Sequence, residues 1–263
     1  LSYKMNDGVI YARYAQGFKE GGINPTTPPV LFQGGPGFLF KPESVDTYEV
    51  GARGTLFDRK LQYTTAVFYN SYKNVQATST GDQTAQGQEY VETILNAGKA
   101  RTWGVEGSLT WRPIRPLTLG INAGYLNAKY IKYSQTVTTT HLAVFNFDGR
   151  RMVYAPKLQA GFTADLDQPI SSRLRLVGNV LVSHISKTIQ ALNPANPTVF
   201  QPGYWLANMR VGVRTADDHV GVYLFVNNLF NKYYTTFGSS SEVGAQQVEG
   251  DPRIVGGEVQ IKF

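Results

Sequence analysis

Histidine is the side chain that most often binds metals or moves protons in catalysis, and this chain has three. His141, His184 and His219 are far apart in the sequence and fall in different predicted elements, so they lack the close spacing of a metal site. The chain has no cysteine, which excludes a disulfide or a thiolate site. Nucleophile-elbow, zinc-protease, P-loop and dinucleotide-binding motifs are also missing from the sequence. We therefore expect no bound metal and no cofactor.

Charged pairs that share one face of a predicted strand are the remaining candidates for acid–base chemistry. Glu49 and Arg53 lie on one such face, and Glu106 and Arg112 lie on another. A hydrolase would need two carboxylates with separated pKa values in a closed site. Each carboxylate here has an arginine on its face instead, so we expect the charges to pair or to meet water. The sequence therefore predicts that the chain is not an enzyme.

The composition favours an all-β protein over an α/β protein. Of the 263 residues, 42% are hydrophobic and only 17% are charged, while glycine (27) and tyrosine (16) are abundant. The formal net charge of +6 comes from scattered basic residues, so no nucleic-acid-binding patch is predicted. Apolar runs stay well below the roughly 18 residues that a transmembrane helix needs. A barrel could still cross a membrane, because its alternating strands are not apolar on average.

About ten segments alternate between apolar and polar residues with the period of a β-strand. The clearest is 102–112, whose apolar face consists of Trp103, Val105, Leu109 and Trp111. Its two tryptophans lie at the ends of that face, as in the aromatic girdles of membrane barrels. Phe68 interrupts the polar face of its own segment, and the segment 9–17 has no clean faces. The alternation therefore predicts strands with one apolar and one polar face along most of the chain.

The connections between these segments are alternately short and long. The short ones have turn chemistry and occupy residues 57–60, 112–116, 167–171 and 215–218. The long ones are rich in Gly, Ser, Thr, Asn and Pro and occupy residues 18–45, 74–100, 132–152, 187–202 and 228–252. An up-and-down outer-membrane barrel has this asymmetry, with tight turns at one rim and long loops at the other. A soluble sandwich or lipocalin-like barrel also alternates, but soluble strands are usually shorter, about 5–6 residues.

Six segments resemble the barrel domain of TonB-dependent outer-membrane receptors, in the order in which that family has them. They are residues 11–24 (YARYAQGFKEGGIN), 42–51 (PESVDTYEVG), 66–70 (AVFYN), 103–107 (WGVEG), 154–157 (YAPK) and 226–234 (VNNLFNKYY). Each segment is short, but together they span nearly the whole chain. The final strand ends on an aromatic residue, Phe263, as the membrane-assembly signal of such barrels does, although the usual glycine five positions earlier is Glu258 here.

The resemblance implies an antiparallel up-and-down transmembrane β-barrel of about 22 strands, of which residues 1–263 would supply about ten C-terminal strands. The plug domain and the N-terminal strands of the family match nothing in this sequence. The implied protein lies in the outer membrane of a Gram-negative bacterium and takes up a scarce nutrient, usually a ferric siderophore. The implied partners are this ligand, outer-membrane lipid, TonB (through the absent N-terminal region) and the barrel-assembly machinery, which would recognise Phe263.

The resemblance also directs attention to the outer loops, where arginine and aromatic side chains could bind an anionic ferric complex. The candidates are Phe38, Tyr90, His141, Arg150, Arg151, Phe200, Tyr233 and Tyr234. Each of them also has a purely structural alternative. Arg150 and Arg151 could simply lead into the segment 154–157, and the two tyrosines at 233 and 234 could belong to an aromatic girdle.

Two other functions fit the same pattern of strands. A self-contained barrel of ten strands could act as a passive porin or as a structural outer-membrane protein. A soluble carbohydrate-binding β module would alternate as well. Collapse of the proton gradient separates the first of these from a receptor, since only the receptor would lose uptake. Solubility without detergent would favour the β module.

Overall fold

The computed structural model describes residues 1–24, 39–82, 90–138, 142–192, 199–241 and 244–262. The strands in these ranges are β1 (Ser2–Met5), β2 (Gly8–Lys19), β3 (Gly22–Ile23), β4 (Leu39–Phe40), β5 (Glu43–Leu56), β6 (Leu61–Asp82), β7 (Tyr90–Ile114), β8 (Leu117–Thr138), β9 (Leu142–Asn146), β10 (Leu158–Pro169), β11 (Leu174–Ile185), β12 (Thr188–Ala191), β13 (Val199–Gln201), β14 (Tyr204–Thr215), β15 (Val220–Asn227), β16 (Thr235–Ser241), β17 (Gly244–Glu249) and β18 (Ile254–Ile261). Within the described ranges, no helix has the length and apolar character needed to cross a membrane.

Twelve of these strands form one antiparallel sheet, and along its main path each strand pairs with the next strand of that path. The order is β1-β2-β5-β6-β7-β8-β10-β11-β14-β15-β18, and β9 pairs with the far part of β8. Three separate hairpins are formed by β3–β4, β12–β13 and β16–β17. Over the described residues β1 and β18 do not pair with each other, so the sheet stays open. The predicted all-β, up-and-down arrangement is confirmed, and an open sheet is what a part of a larger barrel would form.

The short connections lie together at one end of the sheet, because consecutive main strands are antiparallel. Between β5 and β6 the turn residues Phe57, Asp58 and Arg59 all have positive φ angles, of 56°, 53° and 64°. In the turn between β14 and β15, the Asp217 carboxyl accepts hydrogen bonds from the Thr215 hydroxyl and the His219 backbone N–H. These hydrogen bonds lower the pKa of Asp217. The predicted positions of these tight turns therefore agree with the structure to within a few residues.

The main sheet has an apolar convex face and a polar concave face. Val50, Val67 and Val105 lie side by side on neighbouring strands, and their side chains are 57%, 54% and 43% exposed on the convex face. Residues of the opposite parity point to the other side, where Arg13 and Glu49 help to line a concave space. The alternation in the sequence therefore predicted the two faces correctly.

Two segments that depart from clean alternation still obey the geometry of the sheet. Phe68 lies on the concave side, where its ring covers Gly104 of the neighbouring strand. In β2 the convex positions Ile10, Tyr14 and Phe18 are exposed, and small or polar residues between them blur the pattern in the sequence. In both places the side-chain types depart from the expected alternation while the strand keeps its register.

The strands β6, β7 and β8 run far beyond their predicted ends. β6 continues to Asp82 and β7 begins at Tyr90, so the prediction of a loop over residues 74–100 is wrong. β8 continues to Thr138, into another predicted loop. The added segments are rich in polar residues, so they lack the alternation that marks a half-buried strand. They are strands because antiparallel neighbours satisfy their backbone groups, and their threonines favour the extended conformation.

We expect the substitution Gly104→Ala to destabilise the sheet by about 1–3 kcal/mol. A Cβ at residue 104 would meet the Tyr125 carbonyl oxygen and would lie 2.7 Å from the Phe68 ring, so the ring or the backbone must move. Gly124→Ala is the matched control, because the nearest atom to a Cβ there is 4.0 Å away. Denaturant unfolding measures both variants, and equal stability would contradict the packing role of Gly104.

Candidate functional site

The long connections leave the end of the sheet opposite to the tight turns, and three of them pack against one another there. They are residues 147–157 after β9, residues 186–203 around β12 and β13, and residues 228–253 around β16 and β17. β16 contacts both β12 and β13, which joins the second connection to the third. We call the described residues of these three connections the outer loop cluster.

A buried network of polar side chains holds the outer loop cluster together. The Thr235 N–H and hydroxyl donate to Gln201 Oε1 at 2.8 and 2.7 Å, and the Gln190 amide donates to the Thr235 hydroxyl at 3.2 Å. The Gln247 amide donates to Gln190 Oε1 at 3.0 Å. Gln190, Gln201 and Thr235 are only 4%, 6% and 5% exposed, so water does not compete for these hydrogen bonds. A satisfied network of this kind specifies one arrangement of the two connections.

Tyr154 ties the first connection of the cluster to the third. Its hydroxyl donates to the Gly238 carbonyl oxygen at 2.8 Å and accepts from the Gly238 N–H at 3.2 Å. Its ring stacks on Phe237 with the ring centroids 6.1 Å apart. The backbone of Tyr154 has a φ of 53°, which a tyrosine seldom adopts, and its N–H donates to the Ile189 carbonyl at 2.8 Å. All three connections are therefore linked by direct contacts.

An apolar cluster on the concave side supports the first connection. It consists of the buried residues Val75, Ala100, Tyr130 and Phe147. Tyr133 packs against it and stacks on Tyr130 with the ring centroids 4.3 Å apart. These side chains come from β6, β7, β8 and the residues directly after β9. The chain that follows β9 is thereby fixed against the inner wall of the sheet.

Arg150 and Arg151, both predicted as ligand contacts, have different surroundings. Arg150 is exposed, and its guanidinium carbon lies 6.0 Å from the centroid of the Phe147 ring. Arg151 donates to the carbonyl oxygens of Ala155 and Lys187 at 3.0 and 3.4 Å, which joins two connections of the outer loop cluster. Arg151 therefore has structural contacts within the loops, whereas the guanidinium of Arg150 is open to solvent.

Phe200 and Tyr233, two further predicted contacts, expose aromatic surface on the outer loop cluster. Phe200 is 43% exposed, and the Lys187 ammonium lies 3.6 Å from its ring centroid in a cation–π contact. Tyr233 is 66% exposed, and its hydroxyl donates to Glu249 Oε1 at 3.1 Å. That hydrogen bond, reinforced by the negative charge of the carboxylate, raises the pKa of Tyr233. Both rings lie beside ionisable groups and are open to solvent.

The remaining predicted residues divide into one packed side chain and several that the structure leaves undescribed. Tyr234 stacks on Tyr204 with the ring centroids 4.8 Å apart and is only partly exposed, so it contributes to packing. Tyr90 is the first residue of β7, but its side chain is outside the described part. Three residues lie wholly outside the described ranges: Phe38, His141 and the assembly-signal residue Phe263.

The two described histidines are far apart. The His184 ring stacks on Trp205 at the convex face, and its Nδ1 lies 2.9 Å from the Tyr204 carbonyl oxygen. His219 lies in the turn between β14 and β15, 3.3 Å from Asp217. Over the described ranges, the histidines and acidic residues form no group of three or more that could hold a metal. Both histidines therefore have packing or turn contacts that account for their positions.

Sequence reasoning missed the residues that build the outer loop cluster, namely Tyr154, Lys187, Gln190, Gln201 and Thr235. Glutamine and threonine in a polar connection resemble solvated loop residues, and no local spacing marks them as buried. Only the YAPK motif gave a signal, because it contains the first of these residues. Chemically, the cluster presents one exposed cation, Lys187, over the exposed ring of Phe200, and a second exposed cation at Arg150. This combination suits an anionic ligand with an aromatic or planar part.

Comparison with known proteins gives one family and several relatives. A family model described as TonB dependent receptor-like, beta-barrel, matches residues 1–229. The pesticin receptor of Yersinia pestis is 26% identical over 261 residues, which are 98% of this chain and 34% of that protein. The ferric-pyoverdine receptor PbuA of a Pseudomonas species is 27% identical over 255 residues, 95% of this chain and 27% of that protein. The chain thus spans about a third of the length of its first curated relatives.

Solved structures share the fold. The crystal structure of the ferric yersiniabactin uptake receptor FyuA from Yersinia pestis matches with a TM-score of 0.76 and 23% identity. The match covers 98% of this chain and 35% of that chain. At this level of identity the likeness concerns the arrangement of the strands, which is the arrangement described above.

Thr235→Val removes the buried hydroxyl that donates to Gln201 Oε1 and accepts from the Gln190 amide, at a cost of about 1–3 kcal/mol. We expect faster amide hydrogen exchange in β12, β13 and β16 and unchanged exchange in the main sheet. Thr236→Val is the matched control, because residue 236 is exposed. If the two variants exchange at the same rates, the buried network does not hold the outer loop cluster.

Proposed function

Because the chain belongs to the TonB-dependent receptor β-barrel family, we propose that it is part of an outer-membrane receptor that takes up a ferric siderophore with energy relayed by TonB. The observation that carries this proposal is the family match over residues 1–229. The names of the relatives support the ligand class, since one is a ferric-pyoverdine receptor and a protein of the same fold is a ferric yersiniabactin uptake receptor.

In this proposal the two faces of the sheet meet two different environments in the outer membrane of a Gram-negative bacterium. The convex face is apolar, with Val50, Val67 and Val105 exposed, and would contact lipid. The concave face, with Arg13 and Glu49, would line the lumen of the barrel. Every main strand contributes to both surfaces, so the wall separates lipid from lumen by alternation alone.

We further propose that residues 1–263 are the C-terminal portion of the barrel domain of a longer receptor. The plug domain and the first strands of the barrel would come from residues outside this chain, and TonB would engage that outside region. The barrel-assembly machinery would recognise the last strand, β18, and the aromatic residue Phe263 that follows it. The two outer strands of the open sheet, β1 and β18, would pair with the missing part of the wall.

The ligand would be bound at the outer loop cluster. Arg150 supplies an exposed guanidinium, Lys187 an ammonium held over Phe200, and Tyr233 an exposed phenol. Ferric siderophore complexes that carry negative charge and aromatic iron-chelating groups would interact with both kinds of group. The buried network would hold the loops that carry these side chains in place before the ligand binds. Binding would then cost less conformational entropy.

Cells that carry the intact receptor should accumulate radiolabelled ferric siderophore, and a protonophore should abolish this uptake. The reason is that transport through TonB depends on the proton gradient of the inner membrane, whereas binding at the cell surface does not. Surface binding should therefore persist in treated cells. Uptake that continues at the same rate without a proton gradient would identify a passive porin and reject the receptor.

Arg150→Ala in the intact receptor should weaken binding of the ferric siderophore about 10-fold or more, because a charge-assisted hydrogen bond is lost. Fluorescence quenching of the purified receptor by the ligand measures the dissociation constant. Arg59→Ala removes the same charge from an exposed turn at the opposite end and is the control. Arg151→Ala should in addition remove the hydrogen bonds that join two connections of the outer loop cluster. Faster amide hydrogen exchange around residue 187 would show this. Equal affinities of the variants at 150 and 59 would remove Arg150 from the site.

A further inference from the structure

Five cations lie side by side on three neighbouring strands near the outer end of the sheet. Lys73 of β6 is directly opposite Lys99 of β7, which is directly opposite Lys132 of β8. One step closer to the middle of the sheet, Arg101 of β7 is directly opposite Lys129 of β8. Directly opposed residues in an antiparallel pair have Cβ atoms about 5 Å apart. We call these five residues the basic strip.

The register places the basic strip on the convex face. Lys99 and Arg101 have the same parity as Trp103 in β7, and Trp103 is exposed on that face. Lys73 has the parity of Tyr69, which is paired with Trp103 and is also exposed. The strip therefore continues the apolar and aromatic convex surface rather than the polar lining of the concave side.

A bulge in β8 keeps Lys132 on the convex side with the others. Ala100 pairs with Tyr130 and Lys99 pairs with Lys132, so Ile131 is an extra residue between them. Tyr130 is buried in the apolar cluster on the concave side, and Tyr133 stacks on it. The two residues between these tyrosines are exposed and therefore point the other way.

The strip lies directly beyond the apolar band of the wall. Along β7 the convex residues from Trp111 to Trp103 span about 26 Å of strand, or about 20 Å across the bilayer at a strand tilt of about 40°, and aromatic residues bound this apolar band. Arg101 follows about 7 Å farther along the strand, and Lys99 follows it by the same step. In a bilayer that covers the apolar band, these cations would lie at the level of the lipid headgroups.

Little in the described part of the chain compensates the charge of the strip. Lys73 pairs with Asp46 at 3.1 Å, and Asp46 also accepts hydrogen bonds from Tyr14 and Gln16. No carboxylate within the described ranges pairs with any of the other four cations, which are Lys99, Arg101, Lys129 and Lys132. Like charges directly opposite one another destabilise a sheet, so an external anion would relieve the repulsion.

We infer that the basic strip binds the phosphate groups of anionic lipid headgroups in the leaflet that surrounds the outer end of the barrel. The inference rests on the proposed function only in assuming that the convex face is embedded in a bilayer. Lysine and arginine beside an apolar belt attract anionic lipid, each adding about fivefold to membrane affinity. The strip is on the opposite side of the wall from the concave space, so a ligand passing through the lumen would not meet it.

The test uses the full-length receptor purified in detergent and mixed with a bis-phosphorylated glycolipid or with zwitterionic phosphatidylcholine. Native mass spectrometry counts the lipid molecules that each sample retains. The strip variant combines K99Q, R101Q, K129Q and K132Q. The control variant combines R59Q, K60Q, R115Q and R173Q, which removes four exposed cations at the opposite end of the sheet.

We expect the strip variant to retain the phosphorylated lipid at least about 10-fold less well than the wild type, with the control variant unchanged. Phosphatidylcholine retention should be equal in all three proteins. Equal retention of the phosphorylated lipid by the strip variant and the wild type would overturn the inference. Complete competition by inorganic phosphate at the same concentration would also overturn it, because the site would then take a soluble anion.

Two further measurements keep the test decisive. If the strip variant does not fold, the wild-type receptor is compared with the same glycolipid before and after enzymatic removal of its phosphates, and equal retention rejects the inference. Ferric siderophore binding is measured on every sample and should be the same in the strip variant and the wild type. If the wild-type receptor does not bind ferric siderophore, the proposed function is rejected. The lipid measurement still tests the basic strip in that case.

Discussion

The antiparallel register of the main sheet is the constraint on which the rest of the structure depends. It places Tyr14, Tyr48, Tyr69 and Trp103 in one row across four strands, although they are distant in the sequence. Successive residues of a strand point to opposite faces, so a slip of one residue in any strand would move a whole apolar set to the polar side. The register thereby turns the alternation of single strands into continuous bands on the surface.

On the concave side the register is reinforced by rings that lie over glycines of neighbouring strands. Phe68 covers Gly104, and Tyr223 covers Gly212 on the adjacent strand. Tyr223 also carries the Arg210 guanidinium 3.5 Å from its ring centroid, and Arg210 forms an ion pair with Glu258 on β18 at 3.0 Å. A wall with a polar lumen cannot rely on a packed apolar core, and these side chains give it specific contacts between strands. This use of close approach accounts for part of the high glycine and tyrosine content.

The sequence was informative where burial alternates and uninformative where it does not. The faces around Trp103 and Trp111 and the tight turns were predictable, because one side of each strand must be apolar and the turns need special backbone angles. The outer halves of β6 and β7 were not, since polar residues on both sides of a strand resemble a loop. Gln190 and Thr235 were missed for a related reason: their burial depends on contacts between connections that are distant in sequence. Arg150 and Arg151 are adjacent and of one type, yet only the fold separates an exposed guanidinium from one that joins two loops.

The bulge in β8 shows why the outer end needs a departure from strict alternation. Below it, Lys129 points to the convex side and Tyr130 to the apolar cluster on the concave side. Above it, Tyr133 packs against the same cluster, although it follows Tyr130 by three residues. In an unbroken strand, residues three positions apart point to opposite faces. The extra residue at position 131 restores Tyr133 to the cluster and leaves Lys132 beside Lys99 on the convex side. One inserted residue thus serves two surfaces: the support of the outer loop cluster inside and the row of cations outside.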